Sequence, residues 1–182
     1  MRNIIKVALA VSAISMSTVC ASAEMKTASQ IYFDGLARHE KAMVANATAR
    51  CAGMVTVQQA VVTRDAPQSP ALAAMSTTKE TLVSAMLATN YMIAEQRGAT
   101  RPASAYVEDA QGQIEAHTTF YLERMQKNQI STGEMFGQDN LIIQDMEFCG
   151  QLLPTLLDNE YWLAVLENND WTFFDDKILK AH

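Results

Sequence analysis

Apolar side chains in the first half of the chain recur at helical spacing. From about Ser29 to Asn46 they fall at steps of four, three and four residues, at Tyr32, Leu36, His39 and Met43. Such a stripe predicts one amphipathic helix. A second stretch, Thr48 to Arg64, is expected to continue this helix or kink away from it, with one side formed by Cys51, Val55, Gln58 and Val62. Its VTVQQAVV portion is rich in β-branched residues, so its pattern also fits a strand.

The rest of the chain alternates helical stripes with clear breaks. Two prolines in DAPQSP, residues 65 to 70, predict a turn. A helix is expected from there to Arg97, stopped by Gly98, and another from about Pro102. A loop over residues 131 to 140 then precedes a last long helix from about Asp139, which Pro154 bends or divides. The residues predicted to face inward on these three helices are, in order, Leu72, Met75, Leu82, Met86 and Ile93; Tyr106, Ala110, Ile114, His117, Tyr121 and Met125; and Ile142, Met146, Cys149, Leu152, Leu153 and Leu156.

These elements predict an all-α fold. Glycine and proline are scarce, with 7 and 4 residues in the whole chain. Helices joined by short connections pack most simply as an antiparallel bundle, in which each helix buries one stripe. We therefore expect four to five main helices and a short C-terminal helix, stapled by one disulfide.

The N-terminus has the pattern of a secretory signal peptide. Arg2 and Lys6 precede an apolar run, and Ala21-Ser22-Ala23 follows it. Cleavage after Ala23 would leave a single helical domain, residues 24–182, with no membrane span expected in the mature chain. This leader predicts export, to a bacterial periplasm or to the medium.

Cleavage of the signal peptide determines which cysteines remain in the mature chain. Removal of residues 1–23 takes away Cys20 and leaves Cys51 and Cys149. In an oxidising compartment such a pair forms a disulfide by default. The alternative is two unconnected core thiols, since a free cysteine packs as a small apolar side chain.

Charge argues against nucleic acid as a partner. The formal net charge is −6, and loss of Arg2 and Lys6 makes it −8. An acidic chain without a run of Lys or Arg repels polyanions. The partner that we expect is a protein, which the sequence does not identify.

Motifs for catalysis are incomplete. His39-Glu40 begins the zinc-protease pattern HExxH, but Met43 replaces the second histidine. We assign no catalytic residue and no cofactor from the sequence. An enzyme whose site is assembled across helices remains one alternative, because such a site leaves no local motif.

Two histidines suggest a different alternative. His39 and His117 both fall on apolar stripes. If both point inward across the bundle, they could hold haem or a metal ion. The competing interpretation is a pair of hydrogen-bonded imidazoles in the core or at its boundary.

The C-terminal stretch NNDWTFFDDKILKAH is unusually aromatic. Asp170 would cap a short helix in which Trp171, Phe174 and Ile178 share one face. That face is predicted either to dock on the protein's own core or to bind a partner as a helix in a groove. The leading functional hypothesis is an exported, non-enzymatic helical protein that acts through a protein partner, as an accessory or chaperone-like factor.

Overall fold

The computed structural model describes residues 25–99, 101–137 and 139–157 of the chain. This part of the chain forms five helices and no strand. They are α1 (Ala28–Arg38), α2 (Lys41–Asp65), α3 (Ala71–Gln96), α4 (Ala103–Thr132) and α5 (Asn140–Leu157). The all-α prediction is therefore confirmed. None of the five helices combines the length and the apolar composition that a membrane crossing requires.

Most of the predicted breaks are confirmed. The turn between α2 and α3 covers residues 66–70, as the two prolines indicate. Gly98, just after α3, and Gly133, just after α4, have φ of 62° and 79°. These left-handed conformations suit glycine, which lacks a Cβ. The VTVQQAVV stretch lies wholly within α2 and is helical, with Val55 and Val57 buried in the core.

The single helix predicted over Ser29–Asn46 is wrong. α1 ends at Arg38, and His39 adopts a left-handed conformation with φ 56°. The chain then turns back, so that α2 packs closely on Gly35 of α1. A Cβ built on Gly35 would lie 2.9 Å from the Cβ of Met43. The small residue thus permits a tight helix pair where the stripe alone predicted a straight helix.

α2 is the centre of the molecule. It contacts each of the other four helices. Most of its length from Val44 to Val57 is buried, including Cys51 and Met54 at 0% exposure. After the turn, α3 runs back antiparallel along α2. Gln59, near the end of α2, donates to Ser76, near the start of α3, at 2.8 Å. The helices therefore surround a buried core helix.

α5 begins at an acidic cap. The Asp139 carboxylate accepts from the amides of Leu141 and Ile142 at 3.1 and 3.3 Å. The same carboxylate accepts two hydrogen bonds from Arg124 of α4, each 2.9 Å. On the inward side of α5, Ile142, Cys149 and Leu152 are buried as predicted.

The disulfide joins α2 to α5. Cys51 and Cys149 are bonded, with their Cα atoms 5.1 Å apart at a sequence separation of 98. Both side chains lie in the larger apolar cluster, together with Tyr32, Tyr121 and Met125. The bond thus closes a long loop through the core.

Several predictions fall on parts of the chain outside the described residues. These are the signal peptide (1–23) with Cys20, and the C-terminal Trp171, Phe174 and Ile178. The side chains of Leu153, Pro154 and Leu156 lie outside the description as well.

Candidate functional site

A groove between α3 and α4 is a concave surface that contains both apolar and polar side chains. We call it the α3–α4 groove; its volume is about 960 Å³. Apolar side chains come from both helices: Val83 and Leu87 from α3, and Val107, Ala110 and Ile114 from α4. Polar side chains make up the rest of the lining, among them Thr56 and Gln59 of α2 and the charged Lys79, Glu80 and Glu115. A concave surface that combines apolar and polar side chains is typical of a binding site.

The groove exists because α3 and α4 both pack on α2 more extensively than on each other. α4 approaches α2 closely at Gly53, where an added Cβ would lie 2.7 Å from the Cβ of His117. α3 packs on α2 through buried Leu82 and Ala85, which share the main apolar cluster with residues of α2. α3 and α4 also pack on each other through Leu87 and Ala110, which are buried in a second apolar cluster, and the groove lies beside this contact.

The groove is several helical turns long. On α3 its lining extends from Ser76 to Leu87, and on α4 from Val107 to Thr119. At a rise of about 1.5 Å per residue, these segments are roughly 17 and 18 Å long. The groove therefore matches about three turns of a helix.

A buried ionic network occupies the other side of α2. The Asp145 carboxylate, at 0% exposure, accepts from the Tyr121 hydroxyl at 2.7 Å and from the Ala28 amide at 2.6 Å. Arg50 donates to it through Nε at 2.9 Å, and a second guanidinium nitrogen lies 2.6 Å from the same oxygen. Arg50 also donates to the carbonyl of Lys26 at 2.8 Å. The network therefore joins the N-terminal segment to α2, α4 and α5.

This network is closed to solvent. Arg50 is 4% exposed, and its guanidinium lies 5.3 Å from the ring centre of Phe120. Burial, followed by the adjacent Asp145 carboxylate, raises the pKa of the Tyr121 phenol above its usual range. Tyr121 thus stays neutral and acts as a hydrogen-bond donor. Since the network is enclosed by protein, we assign it a structural role and no catalytic or binding role.

The structure does not bring the two predicted histidine ligands together. His39 is exposed and ends α1. His117 is half-buried in the middle of α4, against Gly53 of α2. Gly53 lies 12 residues beyond the start of α2, a separation of about 18 Å along that helix. The expected inward position of His39 is wrong, because the left-handed turn at this residue directs the chain into α2.

The surroundings of His117 do not resemble a metal centre. Burial, followed by the positive charge of Arg50, lowers the pKa of its imidazole. Within the described ranges, no group of three or more His, Cys, Asp or Glu side chains is placed to hold a metal ion.

A second concave surface is polar. It has a volume of about 870 Å³ and lies between the N-terminal segment, the end of α4 and the start of α5. Its charged side chains are paired within the protein, Lys26 with Asp34 at 2.6 Å and Arg124 with Asp139 at 2.8 Å. Charges neutralised in this way attract an ionic ligand weakly, so we regard the α3–α4 groove as the better candidate.

Sequence reasoning found only part of the site. The predicted stripe of α4 includes Ala110 and Ile114, but the α3 stripe omits Val83 and Leu87. These two residues form a second apolar row, one position beyond Leu82 and Met86. The apolar face of α3 is therefore wider than one stripe, and this width indicates a second packing surface on that helix.

Comparison with protein-family models, with curated proteins and with solved structures gives no significant match to this chain. Its function is therefore argued from the groove alone.

Proposed function

We propose that this protein is an exported, non-enzymatic helical protein that binds an amphipathic helix of a protein partner in the α3–α4 groove, as an accessory or chaperone-like factor. The observation that carries this proposal is the groove itself, whose lining covers about three turns of α3 and of α4. Val83, Val107 and Ile114 lie there as partly exposed apolar side chains among polar ones. Grooves of this composition accept the apolar face of a helix through anchors at i, i+3 or i+4, and i+7.

The chemistry of the rim defines the partner further. Lys79 lies on the α3 side with Glu80, and Glu115 lies on the α4 side. A rim that carries both signs of charge favours a helix whose flanks also carry both signs, because like charges placed opposite one another would oppose binding. The expected partner is therefore an amphipathic helix with apolar anchors and mixed charges.

Export is supported by the leader pattern and by the cysteines. The first 23 residues have the composition of a signal peptide. The Cys51–Cys149 disulfide suits an oxidising compartment such as the periplasm.

Selection from a library of displayed amphipathic helices, on the exported full-length protein, tests the proposal. Bound helices should share apolar anchors at i, i+3 or i+4, and i+7. Val83→Glu places a carboxylate on the groove floor and should weaken their binding by at least about tenfold, or 1.4 kcal/mol. Leu122→Glu controls for the added charge, since Leu122 is 46% exposed on α4 and does not line the groove. Because Val83 packs against the apolar core, far-UV circular dichroism checks that Val83→Glu is folded.

Two results would contradict the proposal. If the selected helices bind Val83→Glu as tightly as the wild-type protein, they bind outside the α3–α4 groove. A selection that returns no groove-dependent helix would remove the groove as a binding site.

A further inference from the structure

We propose that the partner helix carries a lysine or arginine about one helical turn beyond its apolar anchors, and that this basic side chain pairs with the carboxylates of Glu80 on α3 and Glu115 on α4. This inference rests on the proposed function and specifies the partner of the same groove. It predicts the sequence pattern by which that partner is recognised.

α3 and α4 run antiparallel along the groove. The ring centres of Tyr91 on α3 and Tyr106 on α4 lie 5.9 Å apart, and Leu87 and Ala110 are buried in the same apolar cluster. Residues with lower numbers on α3 therefore lie beside residues with higher numbers on α4.

The apolar and polar parts of the lining lie at opposite ends of the groove. Its apolar side chains come from residues 83–87 of α3 and 107–114 of α4, and every lining residue outside these two stretches is polar. Because the two helices are antiparallel, the polar residues that precede Val83 on α3 lie at the same end as those that follow Ile114 on α4. The groove therefore has one mainly apolar end and one polar, charged end.

The charged end carries more negative than positive charge. Its charged lining residues are Glu80, Glu115 and Lys79, which together give a charge of −1. None of the ion pairs between described residues includes any of these three side chains. Both carboxylates are exposed, whereas Lys79 is half-buried. Two accessible carboxylates favour a cation on the bound partner, because opposite charges at matching positions stabilise a complex.

The spacing along the groove places this cation on the partner helix. Val107 and Ile114 are seven residues apart on α4, which is about 10.5 Å along the helix axis. Glu80 lies three residues before Val83 on α3, about 4.5 Å further towards the charged end. A helix lying along the groove therefore has apolar anchors at i, i+3 or i+4, and i+7, and its basic residue at i+10 or i+11.

Matched synthetic helices test this inference on the full-length protein. Each probe has leucine at i, i+4 and i+7, and lysine, glutamine or glutamate at i+11; these three residues have similar helix propensities. A second set has the reversed sequence, so that both directions of binding are measured. By fluorescence anisotropy, the lysine probe of one set should bind at least about threefold more tightly than the glutamine probe, as expected for a surface ion pair. It should bind at least about tenfold more tightly than the glutamate probe, which places like charges together.

Charge reversal on the protein assigns the preference to the two carboxylates. The double variant Glu80→Lys/Glu115→Lys should reverse the order, so that the glutamate probe binds most tightly. Its control is Glu108→Lys/Glu123→Lys, which makes the same change in net charge at two exposed residues of α4 that do not line the groove. The control should keep the preference for lysine. All four substituted side chains are exposed, and far-UV circular dichroism checks that both variants fold.

The outcomes separate this inference from the proposed function. Equal binding of the lysine and glutamine probes, tightest binding of the glutamate probe to the wild-type protein, or a preference that the control variant also reverses would overturn the inference. If displayed helices still depend on Val83 but carry no lysine or arginine at this place, the inference fails and the proposed function stands. If neither the probes nor any displayed helix binds the groove, both proposals fail.

Discussion

Among single residues, Asp145 and Arg50 stand out because both are charged and almost fully buried. Asp145 accepts hydrogen bonds from Arg50, Tyr121 and the amide of Ala28, so its lone pairs are well occupied. Such a network adds little net stability over an apolar replacement, but removing one charge leaves the other without a partner. The pair is therefore sensitive to single substitutions.

Asp145→Asn should lower the free energy of unfolding by about 3–5 kcal/mol, because it leaves the buried Arg50 guanidinium without a counter-charge. Urea denaturation followed by circular dichroism measures the change. Asp65→Asn is the control, since the Arg64–Asp65 pair has side chains 62% and 57% exposed and should tolerate the loss. Equal stability of Asp145→Asn and the wild-type protein would show that the network is not formed as described.

The contact between α2 and α4 depends on a residue without a side chain. At Gly53 an added Cβ would meet His117 at 2.7 Å and the Thr118 amide at 3.0 Å, whereas nothing lies within 4 Å of a Cβ added to Gly112. Gly53→Ala should therefore destabilise the protein by about 1–3 kcal/mol through overpacking. Gly112→Ala should stabilise it by about 0.5–1 kcal/mol, since alanine is the better helix former. Melting temperatures that move in the same direction for both variants would contradict this assignment.

Among the helices, α5 begins beside a carboxylate, that of Asp139, which caps it. Burial alone would raise the pKa of Asp139, but hydrogen bonds from Arg124 and from the Ile142 amide outweigh it and hold this pKa below its usual range. A carboxyl whose pKa is lowered on folding contributes stability above its unfolded pKa of 3.8. That contribution is lost as the pH falls from there through the folded pKa.

Asp139→Asn tests the negative charge of this side chain separately from its role as a helix cap. Asparagine still caps a helix, but it does not titrate. The variant should be less stable than wild type at pH 7 and should lose less stability between pH 7 and an acidic pH of about 3. Urea denaturation at both pH values checks this. An identical pH dependence of the two proteins would show that Asp139 does not contribute to acid sensitivity.

The elements also show what a single sequence can and cannot predict. α3, α4 and α5 were predicted closely because their stripes are regular and prolines or glycines mark the breaks. The break at His39 was missed because no proline marks it and its physical cause is the tight packing of Met43 on Gly35. Arg50 and Asp145 were missed because they lie 95 residues apart, so that no local pattern connects them. Local periodicity reveals which residues are buried, whereas pairing across the core depends on the fold.

For the whole molecule, the structure combines one central helix with a covalent link to the last described helix. α2 contacts α3 and α4 at the groove, and its Arg50 belongs to the ionic network that Tyr121 of α4 and Asp145 of α5 complete. Neither Cys51 nor Cys149 lines the α3–α4 groove. Loss of the disulfide should change the stability of the fold without directly changing the groove.

Cys149→Ser should lower the free energy of unfolding by about 2–5 kcal/mol, because the bond closes a loop through most of the described chain and restricts the unfolded state. The loop that the disulfide closes has a sequence separation of 98 residues. For a loop of this length, the expected entropic contribution of the bond to stability is large. Denaturation with and without reductant measures the effect, which should be equal for Cys51→Ser, Cys149→Ser and the reduced wild-type protein. Non-reducing mass spectrometry of exported protein should show a peptide that links the two cysteines. Two freely alkylated thiols in native exported protein would contradict the bond and, with it, the argument from the cysteines for an oxidising compartment.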